Sequence, residues 1–473
     1  MAVAGSGLAA ASVPGYARAE RFAGTSSFGA SPAAFRSRPG LAPPGVEVTA
    51  PAVGAAPGYV FLACQSGSGQ PGPLIVDNRG EVVWFLPITD KSVLNFRAQT
   101  YRQRPVLTWW EGQVTNGYGL GEYVIMDESY HEVARVKAGN GLQGDVHEFE
   151  LTTRNTALLT AYQPIPFDLS GVGGPTNGTL VESIVQEVDI ASGRVVFEWH
   201  ARNHVSLDES YATVTNGTLD HFHVNSIDVD TDGNLLVSAR NTWAVYKLDR
   251  TSGAIIWRLG GKKSHFSLKS GAPFAWQHDA RRQADGTITL FDDGAGPAVE
   301  PASRGIALAV DEHTRTARLA AEYLHDGYLA VAMGSMQRLP DGGAFVGWGT
   351  VPGFSEFTPA GTLRFDARFP GGEVSYRACR FPWTGDPTGR PALAVEAVNG
   401  APTAFVSWNG ATAVAHWRLR TGASTGSLRS GKTVSRTGFE TQLPLAPSSG
   451  YVAVEALDQN GRSLATSAAV AVL

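Results

Sequence analysis

Cysteine is scarce in this 473-residue chain, which carries only Cys64 and Cys379. Two cysteines exclude a cysteine-rich zinc module and a disulfide-dense scaffold. Charged residues make up 17% of the chain and the net charge is −5, so the charge balance gives no reason to expect nucleic acid as a partner. No apolar run is long enough to span a membrane. The chain is instead long and rich in Gly and Pro, which is typical of a large all-β protein with many turns.

An irregular repeat fills the chain from about residue 55. One unit is an apolar strand, a short polar turn and a second strand that ends in an aromatic residue. Its six copies are 73–86, 123–136, 185–199, 244–259, 307–323 and 354–369. A second type of hairpin alternates with them, at 95–110, 147–163, 223–242, 278–293 and 336–348. Two alternating hairpins predict four-stranded blades, and hence a six-bladed β-propeller over residues 34–390.

The two ends of this region are predicted to pair with each other. Strands at 59–64 and 376–381 are left over by the repeat, and their pairing in one blade would close the ring and remove its open edges. Cys64 and Cys379 lie in these strands. A disulfide between them is therefore one prediction for an exported protein, and two separately buried thiols are the other.

The two flanks differ in texture from the repeat. Residues 1–33 are rich in Ala, Gly and Ser, which indicates a disordered or targeting segment and favours a secreted or exported protein. Residues 391–473 contain short alternating strands separated by Gly, Ser and Asn. They predict a small immunoglobulin- or fibronectin-like β-sandwich with Trp417 in its core.

The stretch 220–240 carries the densest chemistry. Asp232-Gly233 between alternating apolar residues predicts a hairpin with a two-residue loop. In that register Asn225 faces Arg240, and His221 and His223 share a face with Asn225. Imidazole, amide and guanidinium groups together indicate a site for an anion with a reacting centre. A polar face turned to solvent is the alternative.

Histidines also recur at one position of the repeat. His147, His223 and His278 each stand at the start of the first strand of consecutive predicted blades. Because the first strand of a blade lines the central channel of a propeller, three imidazoles are predicted to converge at one mouth of that channel.

Four runs in this region resemble the arylsulfotransferase family. They are HVNSID at 223–228, SARNT at 238–242, WRLGGK at 257–262 and WQHDAR at 276–281. Flanking pieces at 35–39, 57–62 and 375–377 agree with the same family. The resemblance is to its fungal and actinobacterial branch and spans about residues 34–386.

The resemblance implies a six-bladed propeller that moves a sulfuryl group from a phenolic sulfate ester to a phenol. It implies no nucleotide sulfate donor, no cofactor and no metal, so the expected partners are a small-molecule sulfate donor and a phenol acceptor. By motif, His278 matches the transiently sulfated nucleophile, and His223 and Asn225 match a His-x-Asn pair. Arg240 matches a channel arginine and His147 a further channel histidine. The implied catalytic residues are therefore His278, His223, Arg240, His147 and Asn225.

These residue types suit sulfuryl transfer, whose loose transition state spreads charge over peripheral oxygens. Arg240 would hold two of those oxygens, and His278 would form a sulfohistidine in a ping-pong reaction. His223 would protonate the leaving phenolate and later take the acceptor's proton. Asn225 would donate to the same oxygens, and His147 would bind an oxygen or assist with the phenol proton. A loop at 285–286 would place Asp293 opposite His278, either to orient its ring or as a surface acid.

Three other functions compete with this interpretation. Three channel histidines could bind iron or zinc, although a guanidinium beside a metal is unfavourable. The propeller could be a binding platform without chemistry. A lactonase- or strictosidine-synthase-like propeller needs acidic calcium ligands at the strand starts, where this chain has histidines. Metal analysis separates the first alternative, and turnover of an aryl sulfate separates the second.

Overall fold

The computed structural model of the protein describes residues 33–446 and 450–472, and this part of the chain is built from β-strands. Its helical elements are single 3-10 turns at Ser170–Val172, Ala201–Asn203, Leu207–Glu209 and Arg240–Thr242. The predicted all-β class is therefore confirmed. The predicted leader at 1–33 lies outside the described residues except for its last residue. None of the helical turns in the described ranges is long and apolar enough to cross a membrane.

Twenty-seven strands precede residue 382. The first thirteen are β1 (Glu47–Ala50), β2 (Tyr59–Gln65), β3 (Gly72–Val76), β4 (Val82–Phe85), β5 (Ser92–Tyr101), β6 (Arg104–Thr115), β7 (Tyr118–Met126), β8 (Glu132–Val136), β9 (Phe149–Leu151), β10 (Thr156–Phe167), β11 (Gly178–Asp189), β12 (Val195–His200) and β13 (Thr218–Leu219). The next are β14 (Val224–Val229), β15 (Leu235–Ala239), β16 (Ala244–Leu248), β17 (Ile255–Gly260), β18 (Ser267–Leu268), β19 (His278–Arg282), β20 (Thr287–Asp292), β21 (Arg304–Asp311), β22 (Thr316–Leu324), β23 (Ser335–Arg338), β24 (Ala344–Gly347), β25 (Gly353–Phe357), β26 (Leu363–Arg368) and β27 (Val374–Phe381).

These strands form six successive sheets, each with four antiparallel strands. The first sheet has the order β27-β2-β3-β4, the second β5-β6-β7-β8 and the third β9-β10-β11-β12. The fourth is β14-β15-β16-β17, the fifth β19-β20-β21-β22 and the sixth β23-β24-β25-β26. Strands β13 and β18 add parallel partners to β11 and β22, and β1 adds an edge to β26. Every hairpin that the repeat predicts is present.

Contacts between inner strands link the six sheets into a circuit. Strand β5 contacts both β27 and β9, β14 contacts β10 and β19, and β23 contacts β19 and β27. The circuit closes because β2 pairs antiparallel with β27, from Tyr59 opposite Phe381 to Gln65 opposite Val374, as the leftover strands predict. This architecture is propeller-like, and pairing of the chain ends protects a sheet edge that would otherwise be open.

Alternating residues of one strand supply two different cores. In β15, Leu235 and Val237 pack in a cluster with Trp199 of the third sheet, whereas Leu236 packs with Ile288 of the fifth. Because strand side chains alternate between the two faces, a sheet that lies between two neighbours must be apolar on both. This requirement explains why all five residues of β15 are buried.

The predicted disulfide is wrong. Cys64 and Cys379 are both free and buried, and they stand at different heights on the paired strands. Cys64 lies opposite Ser375, whereas Cys379 lies opposite Phe61. Three residues of strand separate them by about 10 Å, which exceeds the roughly 7 Å that a disulfide allows between Cα atoms.

The predicted register of the 220–240 hairpin is also wrong. Asp230 and Asn234 are bonded across a three-residue loop in which Gly233 takes a φ of 84°, and Asp228 pairs with Leu236. A register irregularity between Val224 and Ser226 leaves Asn225 without a directly opposed partner. Such bulges re-aim side chains and are common beside active sites. Comparable irregularities lie between Leu94 and Arg97 in β5, and between 278 and 281 in β19.

The last eighty residues form two further sheets. Their strands are β28 (Ala392–Val398), β29 (Ala401–Ser407), β30 (His416–Gly422), β31 (Arg429–Ser435), β32 (Glu440–Pro444), β33 (Tyr451–Leu457), β34 (Ser463–Thr466) and β35 (Val470–Ala471). One sheet has the order β28-β29-β32, and the other has β31-β30-β33-β34 with β35 beside β33. Trp417 is 1% exposed in the cluster between them, as the sequence predicts.

Candidate functional site

Three predicted site histidines come together at the inner ends of three neighbouring sheets. His278 is the first residue of β19, His223 directly precedes β14, and His147 lies two residues before β9. All three are buried. The ring centroids of His147 and His223 are 4.8 Å apart, and Tyr376 of β27 lies 5.6 Å from His147 and 6.3 Å from His278. The structure therefore brings the three histidines together, as their shared position in the repeat predicts.

His221 does not join this group. Its ring is fully buried, contacts Phe222, and has neither nitrogen hydrogen-bonded. The alternation that would place it beside His223 is broken, since His223 has a φ of 56°. A left-handed backbone is uncommon for residues other than glycine and clusters at functional sites.

Each of the three rings is bound through Nδ1 by an aspartate. Oδ2 of Asp145 lies 2.6 Å from Nδ1 of His147, and Oδ2 of Asp293 lies 2.7 Å from Nδ1 of His278. Oδ2 of Asp220 lies 2.5 Å from Nδ1 of His223. A carboxylate on Nδ1 fixes the ring orientation and leaves Nε2 as the nitrogen available for chemistry. Asp293 therefore orients the ring of His278. The predicted register is wrong, however, because a three-residue loop at 284–286 places His278 opposite Phe291 and not opposite Asp293.

Arg240 lies beside His223 and not beside Asn225 as the two-residue loop predicts. Its backbone N–H donates to the carbonyl of His223, at 2.9 Å, because the three-residue loop and the bulge each shift the pairing by one residue. Arg240 as a whole is 9% exposed, and its guanidinium carbon lies 4.7 Å from the ring centroid of Trp276. Nη1 donates to Asn241, at 2.9 Å.

Several polar atoms of the site are buried without a partner. They are Nε2 of His223, Oδ1 of Asn225 and Nε of Arg240. The amide nitrogen of Asn225 donates to the carbonyl of Gln277, at 2.7 Å, so only its oxygen is open. Asn225 thus presents an acceptor, whereas the predicted role needs a donor. Unsatisfied buried groups are costly, and a cluster of them indicates a binding site for a polar ligand.

Burial sets the protonation of two histidines. It lowers the pKa of His278 well below its usual range, and the nearby Arg240 and His147 lower it further. Burial also lowers the pKa of His223, although the carboxylate of Asp220 opposes this. A buried imidazole without excess negative charge stays neutral, which keeps a nitrogen lone pair available. For Asp145, burial alone would raise the pKa, but His147 and the amide of Gly119 outweigh burial and lower it.

An ion network occupies the residues that directly follow the site residues. Glu148 is fully buried next to His147, and its carboxylate pairs with Arg97, Arg281 and Arg377. Arg377, which follows Tyr376, also donates to the carbonyl of Asn225, at 3.1 Å. The network therefore fixes the backbone of the site from its other side.

Four further aromatic residues contribute to packing. Trp109, Trp110 and Trp348 are buried in three different apolar clusters. Tyr118 stacks on Tyr162, at 5.5 Å between ring centroids, and Tyr162 contacts both His147 and His223. A cavity of about 730 Å³ lies by the β5–β6 and β9–β10 turns, where Arg97, Gln99 and Glu150 line it, but it contains none of the histidines.

Sequence reasoning missed Asp145, Asp220, Tyr376 and the backbone of Met333. The first two had a local signal, since an aspartate two or three residues before a histidine can reach its ring. Met333 had none, because its N–H donates to Nε2 of His278, at 3.3 Å, from a connection 55 residues further along the chain. Across the described ranges, no group of three or more His, Cys, Asp or Glu side chains is arranged to hold a metal ion.

The likenesses to solved structures concern architecture alone. A protein of unknown function from Bacteroides caccae is 15% identical, with 68% of this chain and 98% of that chain covered and a TM-score of 0.42. An inactive virginiamycin B lyase from Staphylococcus aureus with quinupristin is 8% identical, with 77% of this chain and 97% of that chain covered and a TM-score of 0.36. The β-propeller domain of Cps50 (Swd1) from Myceliophteria thermophila is 12% identical, with 68% of this chain and 97% of that chain covered and a TM-score of 0.32.

Comparison with curated proteins gives no significant match. The family model described as arylsulfotransferase (ASST) matches residues 97–370, which is more than half of the chain. The matched region contains all three channel histidines together with Asn225 and Arg240. The resemblance noted in the sequence motifs is thereby confirmed, and the chain belongs to the arylsulfotransferase family.

Proposed function

We propose that the protein transfers a sulfuryl group from a phenolic sulfate ester to a phenol, without a nucleotide donor, through a sulfated His278. One observation carries this proposal: three imidazoles, each held through Nδ1 by an aspartate, lie together, and a buried arginine with an unpartnered Nε lies close to two of them, those of His223 and His278. Such a site offers lone pairs for nucleophilic and proton-transfer chemistry and donors for a singly charged anion.

In the first half-reaction, Nε2 of His278 attacks the sulfur of the donor. The N–S bond forms as the bond from sulfur to the aryl oxygen breaks, and the aryl oxygen keeps that electron pair. His223, protonated at Nε2, gives its proton to the leaving oxygen. Arg240 donates to the sulfuryl oxygens with Nε and the uncommitted hydrogens of its Nη atoms.

In the second half-reaction, a phenol replaces the first product. Nε2 of His223 takes the phenol proton, the phenol oxygen attacks sulfur, and the N–S electron pair returns to His278. His147, with the ionised Asp145 on its Nδ1, faces the same space and binds a sulfuryl oxygen or the phenol hydroxyl. We assign Asn225 to binding of the acceptor phenol: its open Oδ1 accepts the phenol O–H as the phenol enters, before that proton turns to Nε2 of His223.

We further propose that the six sheets are the blades of a closed six-bladed propeller over residues 34–390. The two C-terminal sheets, within 391–473, would form an immunoglobulin- or fibronectin-like sandwich. A secreted or exported location, with 1–33 as a targeting segment, is part of this proposal.

A metal-dependent enzyme is the less favoured alternative. Each histidine commits Nδ1 to a carboxylate, as metal-ligating histidines do, but Arg240 is close enough to lower the pKa of His278. A cation at that distance opposes a divalent metal. A binding platform without chemistry would use the same unpartnered groups, and the burst and the sulfated peptide described next separate it from an enzyme.

The test is a reaction of the protein with 4-nitrophenyl sulfate, with phenol as acceptor and no nucleotide added. We expect nitrophenol release that depends on phenol. Without phenol, we expect a burst of one nitrophenol per chain and one sulfuryl group on the peptide containing Gln277, His278 and Asp279. Digestion should avoid low pH, because a nitrogen–sulfur bond is acid-labile. Turnover without a burst or adduct would mean direct transfer from donor to acceptor.

A further inference from the structure

One short backbone segment contacts both groups that the proposed reaction assigns to the sulfuryl group. The segment Val331–Ala332–Met333, here called the crosspiece, lies between β22 and β23. The carbonyl of Val331 accepts from Nη2 of Arg240, at 2.9 Å. The N–H of Met333 donates to Nε2 of His278, at 3.3 Å. The crosspiece therefore spans the cation and the nucleophile.

The crosspiece is held in place by its neighbours. Oγ1 of Thr350 accepts from the N–H of Val331, at 3.0 Å, and the N–H of Thr350 donates to the carbonyl of Ala332, at 3.2 Å. Met333 has a φ of 68°, which is unfavourable for a residue with a side chain. Gly334 then donates to the carbonyl of Tyr376, at 2.9 Å. The surrounding contacts, and not local preference, aim the Met333 N–H at the imidazole.

A donor at Nε2 decides which nitrogen of His278 carries the proton. In a neutral imidazole one nitrogen donates and the other accepts. If Asp293 were protonated and donated to Nδ1, the ring proton would stand on Nε2 and the nucleophilic lone pair would be lost. Burial favours that outcome, because it raises the pKa of Asp293. The Met333 N–H opposes it, since two donors cannot point at each other.

We propose that the backbone amide of Met333 is a further catalytic group. In the free enzyme it holds His278 with its proton on Nδ1 and its lone pair on Nε2. When the N–S bond forms, the amide leaves Nε2 and donates to a sulfuryl oxygen. This inference rests on the proposed function and adds a donor to it.

Distance explains why the amide must change partner. At 3.3 Å the amide nitrogen stands at contact distance from Nε2, so sulfur cannot bond to Nε2 along the same line until the crosspiece moves outward. The exposed side chain of Val331 leaves room for that movement on the solvent side. In sulfated His278, an oxygen on the sulfur bonded to Nε2 then replaces Nε2 as the acceptor of the Met333 N–H.

The decisive variant replaces the Met333 amide by an ester, through incorporation of the α-hydroxy analogue of methionine. It removes one N–H and keeps the side chain. We expect the rate of His278 sulfation by 4-nitrophenyl sulfate to fall by roughly 10²-fold, as for loss of one oxyanion donor. Met333→Ala, which keeps the amide, should stay within about 3-fold of the wild type. Sulfation of the ester variant at the wild-type rate would overturn the proposal.

A second measurement needs no turnover. In protein labelled with ¹⁵N-histidine and free of substrate, NMR should show Nε2 of His278 unprotonated in the wild type. In the ester variant we expect a protonated Nε2. A wild-type Nε2 that carries the proton would overturn the inference. If the tautomer changes as expected but no aryl sulfate ever sulfates the protein, the proposed function fails while the role of Met333 in setting the tautomer stands.

Discussion

Adjacent residues at the inner ends of the sheets lie in two very different environments. His147, His278 and Tyr376 face the proposed site, and the residues that follow them are Glu148, Asp279 and Arg377. The carboxylate of Glu148 accepts from three guanidinium groups. By contrast, Nε2 of His223 and Nε of Arg240 are buried with no partner. Both sets of residues are buried and polar. The ion-paired set holds the inner strands together, whereas the set with unpartnered nitrogens is the one that we propose binds a ligand.

The comparison predicts its largest effect for loss of the nucleophile. His278→Ala should lower sulfation by at least roughly 10³-fold, because it removes the nitrogen that is proposed to form the N–S bond. The variant should remain folded by circular dichroism. His204→Ala is the control, since that exposed ring stacks on Trp199 outside the site. A His278→Ala protein that still shows the nitrophenol burst would assign the nucleophile elsewhere.

Features formed by residues close together in the sequence were predictable, and features formed by distant residues mostly were not. Alternating apolar residues and Gly-containing turns predicted every hairpin, because sheet pairing between neighbouring strands is local. The shared position of the histidines predicted their convergence. The bulge at Asn225 was not predictable, since a period of two gives no sign of one extra residue. Together with the three-residue loop, it moved Arg240 from Asn225 to His223.

Contacts between segments that are distant in the sequence were not predicted, because no local pattern marks them. The pairing of β2 with β27 followed from ring closure, but its register did not, so Cys64 and Cys379 were placed together wrongly. The crosspiece reaches His278 from the connection between β22 and β23, and no repeat position marks it. Sequence therefore located the site and most of its side chains, whereas the structure supplied the backbone groups and orienting carboxylates.

We expect substitutions in the ion network to affect mainly the stability of the fold, whereas substitutions of the site histidines should affect mainly activity. We expect Glu148→Gln to lower the free energy of unfolding by about 3–5 kcal/mol, because three guanidinium groups lose their shared buried charge. Urea unfolding measures this. Glu132→Gln is the control: its carboxylate is 42% exposed in a pair with Arg135, so less than about 1 kcal/mol is expected.

The pH dependence of that difference has a definite sign. Burial raises the pKa of Glu148, but Arg281, Arg377 and Arg97 outweigh burial and hold it well below its usual range. A carboxyl with a lowered pKa stabilises the fold above its unfolded pKa, and this stability is lost as the pH falls toward the folded value. The advantage of wild type over Glu148→Gln should therefore be constant from pH 5 upward. It should shrink only in acid, below about pH 4. An equal difference at pH 2 and pH 7 would show that packing, not charge, is responsible.

Arg240→Lys tests whether the site needs a planar cation or only a positive charge. We expect a fall of about 10–100-fold in sulfation, because Lys has one charged nitrogen and cannot reach the sulfuryl oxygens, Asn241 and Val331 together. The matched control is Arg258→Lys, in a partly exposed ion pair with Glu209 outside the site. Near-wild-type sulfation by Arg240→Lys would remove the guanidinium from the mechanism.

The smallest expected effect concerns the proton of His223. Burial lowers the pKa of His223, so little of the imidazolium is present at neutral pH and the group donates a proton only when the pH is low enough. A phenolate that leaves readily needs no proton, whereas a poorly leaving one does. The burst with phenyl sulfate should therefore fall as the pH rises through the lowered pKa, and the burst with 4-nitrophenyl sulfate should change much less.

His223→Ala sharpens the same point. We expect a loss of roughly 10-fold or more with phenyl sulfate and a clearly smaller loss with 4-nitrophenyl sulfate, because only the first needs the acid. The pH dependence seen with phenyl sulfate should disappear in the variant. His221→Ala removes a buried imidazole two residues away that has no hydrogen bond to the site, so it should keep both the difference between donors and the pH profile. Equal losses with the two donors in His223→Ala would mean that the ring binds the sulfuryl group and does not deliver the proton.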